Sequence, residues 1–206
     1  MSAADPSSPE GPGASDGTAL QPVHATRMTL ELADIVLRPW CEADAAVLHA
    51  ACQDAEIARW VSIPQPYALG DARAFIAESE LMWRDGSGAA FAIVDAASGR
   101  LAGAVTRFGP DGHVATLGCW LAREARGRGI GWRALRAVAD WTFRSTHVIR
   151  LDCFIMLGNE ASERMVGRAG FQREGVLRAW DLLRGSPVDC VAYSLLRGDD
   201  AAGEKP

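Results

Sequence analysis

The apolar positions of this chain change period several times, and each change marks an element boundary. Residues 35–39 form a short β-type run, Ile-Val-Leu-Arg, closed by Pro39. Over residues 42–53 and 54–60, Ala, Leu and Val recur at helical spacing. Pro64, Pro66 and Tyr67 interrupt this in a loop, and the helical period returns over 71–84 through Ala74, Phe75, Ala77, Leu81 and Met82. The period then shortens. Residues 90–94, 101–108 and 113–122 read as three strands joined by Gly-containing turns, which predicts an antiparallel meander. A helix is predicted over 131–145, where Trp132, Leu135, Val138, Ala139 and Phe143 fall at 3/4 spacing. A strand over 149–156 and a helix over 160–169, ended by Gly170, come next. Two last strands, 171–182 and 187–196, are linked by 183–186. Strands enclosing helices in this order predict an α+β or mixed α/β domain.

Composition changes that picture only at the ends. Residues 1–26 are rich in Pro, Gly, Ser and Ala without apolar periodicity, so they are expected to be disordered, and residues 198–206 equally loose. The single domain is expected over 27–197. The first segment has neither the basic start nor the continuous apolar stretch of a signal peptide. The formal net charge is −5, all of it carried by these two segments, which leaves 27–197 neutral. A neutral body argues against general nucleic-acid or anionic-membrane binding, because both need a basic excess. Only one of the 21 basic residues is a lysine, which fits a GC-rich bacterial genome. Cys41, Cys52, Cys119, Cys153 and Cys190 show no C-x-x-C spacing and are expected as reduced, mostly buried thiols of a cytoplasmic protein. The four histidines have no metal-ligand spacing, so no metal is expected. No apolar run approaches a membrane span.

The sharpest chemical feature is Arg126-Gly127-Arg128-Gly129-Ile130-Gly131, between a strand and a helix. The first turn of a helix carries N–H groups without partners and the positive end of the dipole, and so attracts phosphate oxygens. Glycine lets the backbone approach a ligand, and arginine can pair with phosphate. The pattern predicts a pyrophosphate seat. It lacks the Gly-Lys-Ser/Thr of a Walker loop, and the alternating glycines do not fit a dinucleotide fingerprint opening a βαβ unit. A Gly-rich connection with solvated arginines is the alternative reading of the loop alone.

Arg126, Gly129 and Gly131, following Gly118-Cys119-Trp120-Leu121, resemble the R-x-x-G-x-G coenzyme A motif of the GNAT superfamily. Asn159-Glu160-Ala161-Ser162 followed by Gly170-Phe171 resembles the N-x-x-S…G-F segment of its RimJ/RimL-type branch. The resemblance runs from Leu37-Arg38-Pro39 to Tyr193-Ser194-Leu195. It implies a single GNAT-like domain: a central, mostly antiparallel twisted sheet of about seven strands, splayed at the cofactor site and flanked by about four helices. It further implies that Arg126, Gly127, Arg128, Gly129, Ile130, Gly131 and Trp132 hold the coenzyme A pyrophosphate. Cys119 and Leu121 would pair through their main chain with the pantetheine arm, with the Cys119 N–H polarising the thioester carbonyl. Asn159 matches a cofactor contact and also suits a helix N-cap. Ser162 matches the proton donor to the departing thiolate, with a solvated first-turn serine as the alternative. Asp181 falls where a carboxylate base is expected, although family members with Glu there reach further; a surface-turn role competes. Asp189 and Tyr193 are expected to be structural, and Glu163 and Glu174 solvated. Trp60, Tyr67, Trp83 and Trp180 are each either acceptor-pocket walls or core.

The function implied is an N-acetyltransferase moving acetyl from acetyl-CoA to a primary amine in a ternary complex. The acceptor is a protein N-terminal α-amine or a small-molecule amine, and a larger acyl donor such as succinyl-CoA stays open. A nucleophilic Cys119 has no neighbouring His in sequence to support it. The alternative is a non-catalytic acyl-CoA sensor or interaction module. A homodimer is compatible with the sequence, which marks no interface for one.

Overall fold

The computed structural model describes residues 27–199. In chain order the strands and helices are β1 Leu30–Glu31, β2 Ile35–Pro39, α1 Ala45–Ala51, α2 Ala55–Trp60, α3 Leu69–Asp85, β3 Gly88–Asp95, β4 Leu101–Phe108, β5 Val114–Leu121, α4 Ile130–Ser145, β6 Arg150–Met156, α5 Glu160–Arg168, β7 Gln172–Leu183 and β8 Ser186–Leu196. The described residues thus hold eight strands and five α-helices, against about seven and about four expected. The extra strand, β1, is two residues long, too short for a period-2 pattern to register. The predicted helix over 42–53 is a 3₁₀ turn, Glu42–Asp44, leading into α1. The segments expected to be loose lie outside the described residues, except Gly198 and Asp199. There the Leu196 N–H donates to an Asp199 carboxylate oxygen at 2.8 Å.

The strands form one sheet in the order β1-β2-β3-β4-β5-β6-β8-β7, antiparallel throughout except between β5 and β6. Alternate side chains face opposite ways. One face of β3 to β8 supplies Phe91, Ile93, Val105, Leu117, Leu151, Cys153, Val191 and Leu195 to a core built against α4, whose Leu135 and Val138 are fully buried. Burying side chains of that size contributes about 1.5–3 kcal/mol each. Trp83, Phe91 and Trp141 pack edge-on or tilted there, with centroids 5.0–5.7 Å apart. The other face is covered by α1 and α3 through Trp40, Leu48, Ala72 and Ile76 over Ala90, Ala92 and Ala104. That second cluster reaches Trp120 and includes no residue of β6, β7 or β8. The half-face outside that cluster lies beside the parallel β5–β6 pair, and its Cys190 and Ala192 are buried all the same.

Candidate active site

The β5–β6 pairing stops almost as soon as it starts. Only Val114–Thr116 pair with Arg150–Asp152, while β5 stays paired to β4 through Leu121. From Leu117 onward, one edge of β5 therefore has no strand partner among the described residues. Which groups face that gap follows from the alternation of the ladder. The Ala122 N–H donates to Ala102 on the β4 side at 2.9 Å, so 120 and 118 point the same way and 121, 119 and 117 point into the gap. The Leu117 N–H meets the Cys153 thiol of β6, which agrees with this parity. The main chain of Cys119 and Leu121 thus faces the gap.

At the end of β5 the chain makes a 3₁₀ turn, Arg123–Ala125, and enters α4 through the glycine loop. Gly127 and Gly129 have φ of +75° and +71°, a left-handed conformation that side-chain-bearing residues adopt at a cost. Gly129 is the N-cap of α4, and no side chain caps the first-turn N–H groups. A Cβ on Gly131 would lie 2.3 Å from the Met165 sulfur, so a larger residue there would displace the Met165 side chain of α5. Trp132 Nε1 is buried without a hydrogen-bond partner close to this turn. Uncapped amides together with an unpaired buried donor fit an anionic group such as a pyrophosphate.

The arginines around the loop are engaged elsewhere. Arg128 pairs with Asp95 at 3.1 Å and Arg133 with Asp34, and Arg126 binds Asp54 at 2.6 Å. Asp95 is held down at about 2, first by the Ser98 hydroxyl and N–H and then by Arg128. Desolvation pushes the Asp54 carboxyl up, but the Glu56 N–H and Arg126 together hold it below the usual range. The guanidinium of Arg126, expected on the pyrophosphate, is spent on Asp54 and on the Leu121 carbonyl.

Asn159 is the side-chain N-cap of α5, its amide oxygen accepting the Ser162 N–H at 3.2 Å. Ser162 is half-buried in the first turn. Tyr193 donates to Glu163 at 2.8 Å, and Glu174 takes Arg150 at 2.9 Å and the Ser194 hydroxyl at 2.5 Å. Both glutamates expected to be solvated are therefore paired.

Asp181 lies opposite Val188 in the β7–β8 hairpin, on the same face as Cys190, Ala192 and Phe154. That face is opposite the one carrying α4 and α5. Asp181 is exposed and accepts the Leu182 N–H at 2.7 Å. Among the described hydrogen bonds and ion pairs it meets neither Ser162 nor Cys119. Next to Asp181 the ladder slips between Leu177 and Asp181, and Ala179 has φ +49°. Asp189 holds this bulge by accepting the Ala179 N–H at 2.8 Å, the structural role expected of it. The bulge turns Trp180, still 52% exposed, onto Phe154 of β6 with centroids 4.7 Å apart. Sequence reasoning missed Phe154, because only register and bulge reveal its neighbour. Of the four aromatic candidates, Tyr67 and Trp83 are core, while Trp60 lies under the Arg59 guanidinium.

A family model describing an acetyltransferase (GNAT) domain matches residues 34–172. The uncharacterized N-acetyltransferase YoaA of Bacillus subtilis is 24% identical over 170 residues, covering 82% of this chain and 96% of its own. The [ribosomal protein uS5]-alanine N-acetyltransferase of Escherichia coli is 29% identical over 91 residues, 44% of this chain and 47% of that one. Among solved structures, RimL, the ribosomal L7/L12 alpha-N-protein acetyltransferase in complex with coenzyme A, superposes with a TM-score of 0.76 at 21% identity, covering 84% of this chain and all of that one. With gap, glycine loop and sheet order in place, the chain belongs to the GNAT acetyltransferase family, is similar to its RimJ/RimL-type members, and is an N-acetyltransferase.

Proposed function

We propose that the chain moves an acetyl group from acetyl-CoA to a primary amine by direct attack of the amine nitrogen on the thioester carbonyl. The observation that carries this reading is the gap itself: the Cys119 main chain faces it, and a 3₁₀ turn and the glycine loop lead from the end of β5 into the uncapped start of α4. A new C–N bond forms and the C–S bond breaks; the amine loses a proton and the departing sulfur gains one. The backbone amides from Gly127 to Trp132 would hold the pyrophosphate, and Cys119 and Leu121 the pantetheine arm. One N–H aimed at a developing oxyanion contributes about 3 kcal/mol in acyl transfer. Asn159 and Ser162, on the α4–α5 side, would serve the donor and its leaving group. Asp181 and Trp180, on the open face, would serve the incoming amine, Asp181 as its base. The relatives named for uS5 alanine and for the L7/L12 α-amine favour a protein N-terminal amine as acceptor in a bacterial cytoplasm.

A covalent acyl-enzyme route through Cys119 is disfavoured, because burial pushes its thiol up to about 12 and keeps it protonated near neutrality. Cys119→Ala is expected to keep kcat within about threefold of the parent, since the role assigned to this residue belongs to its backbone. A loss of two orders of magnitude would restore the nucleophile.

The reading is tested by following thiol release from acetyl-CoA with peptides bearing free N-termini, polyamines and aminoglycosides, with succinyl-CoA in parallel. Release with a peptide supports the acceptor class proposed. Cofactor binding without release across the whole panel favours the sensing module instead.

A further inference from the structure

Arg126 and Asp54 are 72 residues apart in the chain and 2.6 Å apart in space. The same guanidinium donates from Nε and Nη2 to the Leu121 carbonyl at 3.2 and 3.1 Å. One side chain therefore ties the end of β5 and the entry to the glycine loop to a residue of another element. That residue is the N-cap of α2, where the other Asp54 oxygen accepts the Glu56 N–H at 3.0 Å. α2 has only six residues and buries only Ile57. A helix this short does not hold itself and depends on its anchors. Its other anchor comes from the β7–β8 hairpin, where Arg184 donates to the Ala58 carbonyl at 2.7 Å. α2 thus spans from the glycine loop to the hairpin that carries Trp180 and Asp181.

We infer that Asp54 is a positioning residue which, through Arg126, makes the order of α2 depend on the glycine loop, so that acyl-CoA binding readies the acceptor side. The inference rests on the acyl-CoA reading above. A ligand seated on the amides from Gly127 onward fixes the residue just before them, and with it the partner of Asp54. The ordering cost of the α2 cap is then met before the amine arrives, which is coupling between two sites through a locally unfolding element. Coupling of this kind is reciprocal, so an acceptor bound against α2 tightens acyl-CoA by the same factor.

Capping and ion pairing can be separated at this position, because asparagine caps a helix as well as aspartate does but carries no charge. The experiment measures hydrogen exchange of the full chain with and without coenzyme A, read at the amides of Ala58 and Val61, which bond to Asp54 and Ile57. Coenzyme A is expected to slow exchange there about fivefold or more in the parent. In Asp54→Asn that protection is lost, while calorimetry shows coenzyme A affinity unchanged within about a factor of three. In turnover, the variant raises the acceptor KM, and saturating acceptor no longer tightens acetyl-CoA, a loss of mutual dependence that a cap alone does not produce. Binding of coenzyme A to the parent without protection at α2, or full protection in Asp54→Asn, overturns the coupling and leaves the acyl-CoA reading standing. A parent that binds no coenzyme A overturns both.

Discussion

Gly129→Asp is expected to lower coenzyme A affinity by about two orders of magnitude or more while leaving the protein folded. Three effects act at this position, and their magnitudes separate. The residue has φ +71°, so any side chain there adds backbone strain of about 1–2 kcal/mol. A Cβ would stand 3.0 Å from the Trp132 indole nitrogen, a contact that needs a small shift. Both penalties fall on folding, and the preference of aspartate for N-cap positions partly offsets them. The third effect falls on binding: a carboxylate beside the uncapped amides satisfies the donors meant for phosphate and repels the ligand's charge. Gly129→Ala carries the strain and the contact without the charge, and should bind coenzyme A better than the aspartate variant. Isothermal calorimetry with a parallel thermal melt checks this. Equal affinity of the aspartate variant and the parent would remove the pyrophosphate from the start of α4.

Asp181→Asn is expected to reduce kcat about 10²-fold with little change in coenzyme A affinity. The amine arrives protonated near neutrality, and Asp181 as the proposed base would take that proton directly or through water. The substitution keeps size and the hydrogen bond to the Leu182 N–H, so the hairpin should not change shape. Raising the pH supplies more neutral amine and should narrow the gap between variant and parent. A full-rate variant at neutral pH would assign the proton to solvent or another group.

The glycine loop was legible because its demand is local: alternating glycines, a strand before it and a helix after it. β2 and β4 were likewise legible to the residue, since their apolar runs end at Pro39 and at Phe108 before a Gly-Pro turn. What the sequence hid depends on contacts between distant residues. Nothing in Arg126 announces that its guanidinium is taken by Asp54, 72 residues away in the chain. Glu163 and Glu174 have the spacing of solvated residues, and only strand order brings Tyr193 and Arg150 to them. Arg107 falls on the same face of β4 as the core residue Val105 and is fully buried there, bonded to the Gly109 carbonyl at 2.5 Å. The meeting of Trp180 with Phe154 required a bulge whose position depends on Asp189, ten residues away across the hairpin.

Direct transfer to an amine can be followed in a single turnover of acetyl-CoA with a peptide bearing a free N-terminus, quenched at intervals and read by intact mass. Acetyl is expected to leave the donor and reach the peptide α-amine with one free thiol per acetyl group, while the protein itself never carries the acetyl. Acetylated protein forming before acetylated peptide, or thiol released with free acetate and an unmodified peptide, would contradict it.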